Sequence, residues 1–201
     1  SRNSNWTWPA CTATTCTRLS PSKVPEAGAE FLIAWATIAI DAKSIEANEI
    51  SPVVVVSAGN NGPGAGTINK PADDPFVLTV GAVRDNTTPG RGDDTVASFS
   101  GTGPTAANGL AKPDIAAPGG SVVSSRVPGS YVDSAFPSAR VGTAYFKGSG
   151  TSFAAAVASA SAALVLDRTP ALTPDQVKAR LVDTAAAGPV TDRSKVGAGW
   201  L

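Results

Sequence analysis

Apolar positions along the chain fall into two patterns. Pro52-Val53-Val54-Val55-Val56-Ser57 and Phe76-Val77-Leu78-Thr79-Val80-Gly81-Ala82-Val83 are short, continuous and rich in β-branched residues. Runs of that kind predict strands buried on both faces, as in a parallel sheet. Between residues 25 and 49 the pattern changes: Phe31, Ala34, Trp35, Ile38, Ala42 and Ile45 recur at helical spacing. This stripe predicts a helix over 25–49, with Pro25 and Glu26 in its first turn. Thr151 opens a second helical stretch of small residues, Ala154 to Ala163, which ends on Leu164-Val165-Leu166 and meets no charge before Asp167. A helix small and apolar all round is expected to be buried all round. A third helix starts at Leu172-Thr173-Pro174-Asp175-Gln176-Val177, with Thr173 as N-cap, Pro174 at the first helical position and Gln176 closing a capping box. Helix, buried strand and polar turn in succession predict an α/β fold of three layers, a mostly parallel sheet with helices on both faces. The two apolar runs should be adjacent parallel strands. With no internal repeat or linker, the 201 residues read as one domain.

Composition narrows the function. Lys plus Arg is 16 and Asp plus Glu is 16, so no basic field points to nucleic acid. The longest apolar run, 31–36 extended to 40, is too short to span a bilayer. Low charge with 20 Gly and 16 Pro suggests a compact, loop-rich protein outside the cell. In that setting Cys11 and Cys16 read as a local disulfide. Without His or further Cys they are a poor metal site, and no cofactor or calcium ligand set is legible. Ser1-Arg2-Asn3 lacks an initiator Met and reads as an internal start. The Arg91-Gly92-Asp93 tripeptide and the sequons at Asn5 and Asn86 read as chance matches in polar segments.

The chemistry gathers at two turns. Ser152 stands in the first turn of its helix, where backbone N–H groups and the positive dipole end could stabilise an oxyanion. The plainer reading makes Thr151 or Ser152 a simple N-cap. Asn60 follows the strand that ends at Ser57, the position where α/β sheets bind ligands, although Asn and Gly are also ordinary turn residues.

Ser149-Gly150-Thr151-Ser152-Phe153-Ala154-Ala155 resembles the nucleophile motif of the subtilisin-like serine proteases, with Ala156 where the motif normally has proline. Val53 to Asn60 resembles that family's strand ending in Ala-Gly-Asn. Phe99-Ser100-Gly101 is similar to its short strand, Lys112-Pro113-Asp114-Ile115-Ala116-Ala117-Pro118-Gly119 to its Ala-Pro-Gly segment, and Val196 to Leu201 to its closing strand. The resemblance implies Ser152 as nucleophile, the Asn60 side chain as oxyanion donor, and Ser57, Ala58 and Gly59 as lining of the substrate pocket. It implies a polypeptide substrate. The family's catalytic Asp and His lie N-terminal to the strand that ends at Asn60, and this chain has no segment resembling either and no histidine at all. The expectation is a partial catalytic domain without its first αβ units, inactive alone because serine needs a general base. Two other readings compete. One is a noncatalytic relative that binds peptides or partners. The other is a Ser-Lys hydrolase using Lys147, which nothing in the sequence suggests to be buried.

Overall fold

The computed structural model describes residues 37–40 and 52–201, with side chains from 52 onward. All of them belong to one compact unit, Leu32–Leu201. The main sheet contains β1 (Thr37–Ile40), β2 (Pro52–Ser57), β3 (Leu78–Arg84), β4 (Thr95–Val96) and β5 (Ile115–Pro118). β3 is its centre. It pairs in parallel with β2, Val55 opposite Leu78, and with β5, Val80 opposite Ile115. The two runs read as neighbouring parallel strands are therefore that. The flanking pairs, β1 with β2 and β3 with β4, are antiparallel.

β1 corrects the expected helix over 25–49. Thr37–Ile40 is a strand whose Ile38 faces Val54 in the ladder. Three of its four residues are β-branched, which favours the pleated backbone. Apolar spacing alone does not separate helix from strand over so short a span. The rest of that stretch, the Cys11–Cys16 loop and the sequon at Asn5 lie outside the described residues.

Four helices follow: α1 (Tyr131–Ala135), α2 (Thr151–Arg168), α3 (Pro174–Asp183) and α4 (Arg193–Val196). On one face of the sheet, Val53, Val55, Leu78, Val80, Ala82, Ile115 and Ala117 pack against Ala154, Ala155, Ala158, Ala162 and Leu166 of α2 and Val177 and Leu181 of α3. The four alanines are fully buried, so the α2 backbone comes close to the strands. The opposite face is covered by Ile68 and Ala72 of a loop, by Val196 of α4 and by Trp200. The capping box at Thr173 and Gln176 is formed in full.

Three sequence expectations shift. α2 is not buried all round: Ala156, Ala160, Ala163 and Leu164 are exposed, Leu164 at 70%. Small residues on every side do not reveal how many sides are covered. The short strand lies at Thr95–Val96, and Phe99-Ser100-Gly101 is instead a turn that props the end of β2. Gly101 N–H donates to Gly59 O at 2.8 Å and Gly62 N–H to Phe99 O at 2.9 Å. A Cβ on Gly101 would stand 2.2 Å from Ala58 O, so only glycine allows this approach. The closing strand shrinks to single bridges from Trp200 to Ala116 and Ala186, because Val196 ends α4.

Two carboxylates, Asp133 buried and Asp114 half-buried, tie down what the core does not reach. Asp114 accepts from Thr79 N–H at 2.6 Å and from Lys112 Nζ at 2.7 Å, with Lys178 Nζ at 3.5 Å. Both ammonium groups also donate to Val77 O. Burial pushes Lys112 below its ordinary pKa, against the opposing pull of Asp114. Asp133 holds a smaller antiparallel sheet, described below. The Arg126 guanidinium keeps its carboxyl well below the usual range, helped by Gly129 N–H and Arg140.

Two predictions follow from these anchors. Asp114→Ala leaves Lys112, only 3% exposed, with Val77 O as its sole remaining partner here. The loss should be about 3–5 kcal/mol, as for other buried pairs broken on one side, measured by urea unfolding. Asp133 has a depressed folded pKa, so its stabilisation is complete above the usual carboxylate range and is lost as pH falls through the folded value. Asp133→Asn should therefore lower Tm at pH 7. The difference from the parent should narrow as the scan moves to pH values below the ordinary aspartate pKa.

Candidate active site

The carboxyl ends of β2 and β5 and the amino end of α2 meet at one edge of the sheet. Beyond β2 the chain turns at Gly59, whose φ of +92° suits glycine, and presents Asn60. Beyond β5, Gly119 N–H and Gly120 N–H both donate to Val83 O. α2 starts at Gly150, whose N–H donates to Gly119 O at 2.8 Å, and Ser121 N–H donates to Ser149 Oγ at 2.8 Å. A Cβ on Gly119 would lie 2.8 Å from Gly150 O and from Ala82 Cβ. Glycine is required there by the closeness of the turn to the sheet and the helix start.

The bond that joins the two halves of the site belongs to Asn60. Its Oδ1 accepts from Thr151 N–H and from Thr151 Oγ1–H, both at 2.9 Å. Gly150 is the N-cap of α2 and has no side chain to offer, so Asn60 satisfies the helix terminus from 91 positions away. The plainer reading of Thr151 or Ser152 as N-cap is set aside: both lie inside the helix. Thr151 is fully buried, so its hydroxyl is fixed. With Oδ1 committed to two donors, the amide nitrogen is the opposite end of the same rigid plane. The position that a Cβ would take on Gly150 lies 3.6 Å from Asn60 Nδ2 and 3.8 Å from Ser152 N.

Ser152, next to Thr151, is thus brought to the same edge of the sheet as Asn60, 92 positions away. Ser57 and Ala58 are buried and Gly59 is half-buried beside them. By alternation Ser57 shares the α2 side of β2 with Val53 and Val55, while Ala58 packs on the other side with Val56 and Ile68. Lys147 is exposed on a strand, so the Ser-Lys reading gains no support. Thr151 and Ser149 are the site residues that sequence reasoning missed. Their only signal was adjacency to Ser152. Among the described residues no three acidic, histidine or cysteine side chains gather as a metal site.

This arrangement has known counterparts. The profile of the subtilase family matches residues 19–199. The chain belongs to the subtilase family. Over 147 residues it is 48% identical to serine protease AprX of Bacillus subtilis (strain 168), covering 73% of this chain and 33% of that relative. Among solved structures, a protease from Pseudoalteromonas arctica PAMC 21717 aligns with a TM-score of 0.56 at 28% identity, over 75% of this chain and 40% of its own. Sphericase aligns with a TM-score of 0.54 at 25% identity, over 72% and 46%. The chain therefore spans a third of the length of AprX and under half of these structures.

The geometry carries a stability prediction independent of any activity. Gly119→Ala forces its methyl against the Gly150 carbonyl and Ala154 Cβ. Overpacking of this kind costs about 1–3 kcal/mol. Hydrogen exchange should accelerate at residues 149–152 before it does in β3.

Proposed function

We propose that this subtilase chain is the nucleophile-bearing portion of a secreted serine endopeptidase. Ser152 Oγ gives its proton to a general base and attacks the peptide carbonyl; the C–N bond then breaks, the amine leaves with that proton, and the acyl-enzyme remains. The Asn60 amide and the Ser152 backbone N–H receive the oxyanion, and Ser57 to Gly59 line the pocket for the substrate side chain. The observation that carries this reading is the pair of hydrogen bonds that Thr151 donates to Asn60 Oδ1. It fixes the amide plane before substrate arrives, and preorganised donors cost no reorganisation during reaction.

The proton acceptor is absent from the composition, which contains no histidine. On this reading the general base and its carboxylate partner come from chain upstream in the full-length protein. The outer side of α2 carries no charge from Ala156 through Ala160 and Ala163 to Leu164, which fits a helix covered by such additional chain. On this reading the 201 residues alone supply no histidine to activate the Ser152 hydroxyl.

A fluorophosphonate probe tests the reading directly. The isolated chain should not label, and a protein extended upstream to include the base should label at Ser152. No labelling of the extended protein would point instead to a noncatalytic binding relative. In the active protein, Asn60→Ala should lower kcat with little change in KM, by about 2.7–4 kcal/mol of barrier. That range was set by loss of such a donor in another member of this family. Thr151→Val removes one of the two bonds that orient Asn60. It should lower kcat by roughly tenfold, the worth of about 1.4 kcal/mol, and Thr151→Ser should restore most of it.

A further inference from the structure

Between β5 and α2 the chain builds a module of its own. β6 (Val122–Ser125), α1, β7 (Arg140–Val141) and β8 (Tyr145–Gly148) form it, with β8 between β6 and β7 in an antiparallel sheet. Its burial is inverted. The one buried residue between Ser121 and Ser149 is Asp133. Arg126 grips that carboxylate through Nε at 2.6 Å and a terminal nitrogen at 3.0 Å, Arg140 Nε donates at 2.8 Å, and Gly129 N–H donates at 3.0 Å. The apolar side chains point outward instead: Tyr131 is 82% exposed, Val127 67%, Phe136 57% and Tyr145 54%, with Val123, Val132 and Val141 also open. Ordinary surfaces scatter such residues singly. Here six fall within nineteen consecutive positions, 123–141, and a seventh at nearby 145, while Arg126 and Arg140 turn onto the buried Asp133.

We propose that this module is a docking surface for an extended, apolar stretch of the polypeptide substrate, beyond the residues that flank the scissile bond. The proposal rests on the endopeptidase reading of Ser152. Two observations select this occupant. The surface is continuous with the candidate site: β8 runs through Ser149 and Gly150 into Ser152, and the far end of the module is tied there by Ser121 N–H to Ser149 Oγ. β6 is an edge strand whose outer side pairs with no strand among the described residues, so its backbone can receive an extended chain.

The test uses the full-length protein with Ser152→Ala, so that binding is read without cleavage, and fluorescein-labelled, unfolded casein as the probe. Y131S/F136S/Y145S should weaken the anisotropy-derived Kd by about tenfold or more, in line with loss of aromatic anchors, and Tyr131→Ser alone by a few-fold. In the parent with Ser152 intact, hydrolysis of a tripeptide p-nitroanilide, too short to reach the module, should change less than twofold. An unchanged Kd in both variants overturns the proposal. So does a drop in Tm without a change in Kd, which would mean that the protein's own chain covers the rings, and so does a shift from dimer to monomer in sedimentation. If the triple variant does not fold, Tyr131→Ser decides, since its ring makes few contacts to lose. Absence of fluorophosphonate labelling with the Kd effect intact would remove the catalytic reading and leave a peptide-binding surface.

Discussion

The site depends on one acceptor oxygen. Asn60 Oδ1 receives two donors from Thr151 and so joins the end of β2 to the start of α2. A helix amino terminus has N–H groups to satisfy, and a buried one left unpaired is costly. Gly150 has no side chain with which to cap, so the helix takes its cap from a distant turn. That requirement fixes where α2 starts and which way the Asn60 amide faces. The same bond is therefore structural at one end of the amide and, on the proposed reading, chemical at the other.

The rest of the fold serves that contact. α2 must lie close to the sheet for Asn60 to reach it, and alanine at 154, 155, 158 and 162 allows this without a gap. Larger side chains at those positions would lift the helix from β2, β3 and β5. Gly119 and Gly101 act likewise on the turns, since a methyl on either would collide with backbone oxygen. Small residues at the site are thus a packing demand first, and the chemistry inherits the geometry they permit.

Much of this was legible in the sequence because it is local. The β-branched runs announced β2 and β3, the Thr173 box announced α3, and the two motifs announced Asn60 and Ser152. What stayed hidden depends on partners far along the chain. Thr37–Ile40 carries both helical spacing and β-branched residues, and only an available edge on β2 decides between them. Phe99-Ser100-Gly101 looks like a strand until the two glycine contacts to Gly59 and Phe99 are seen. Alanines on the outer side of α2 read the same as those on the inner side. The inverted module was the least legible. Its one trace was the spacing of Arg126, Asp133 and Arg140 at seven-residue intervals, which means nothing until a turn and a hairpin bring them together.

Asn60, Asp114 and Asp133 share a physical role. Each sits where the hydrophobic core ends and gathers two or more donors: both from one helix start for Asn60, two lysines and a strand N–H for Asp114, two arginines and a turn N–H for Asp133. Apolar packing is non-directional and sets distances loosely at such margins, whereas an oxygen with several donors sets position and angle together. A site at the edge of a sheet cannot rely on the core for its precision. It is held by these polar anchors, which leaves the apolar side chains of the 122–148 module without an interior to fill. Their exposure is thus a consequence of how the module is held, and it leaves apolar surface beside the residue proposed as nucleophile.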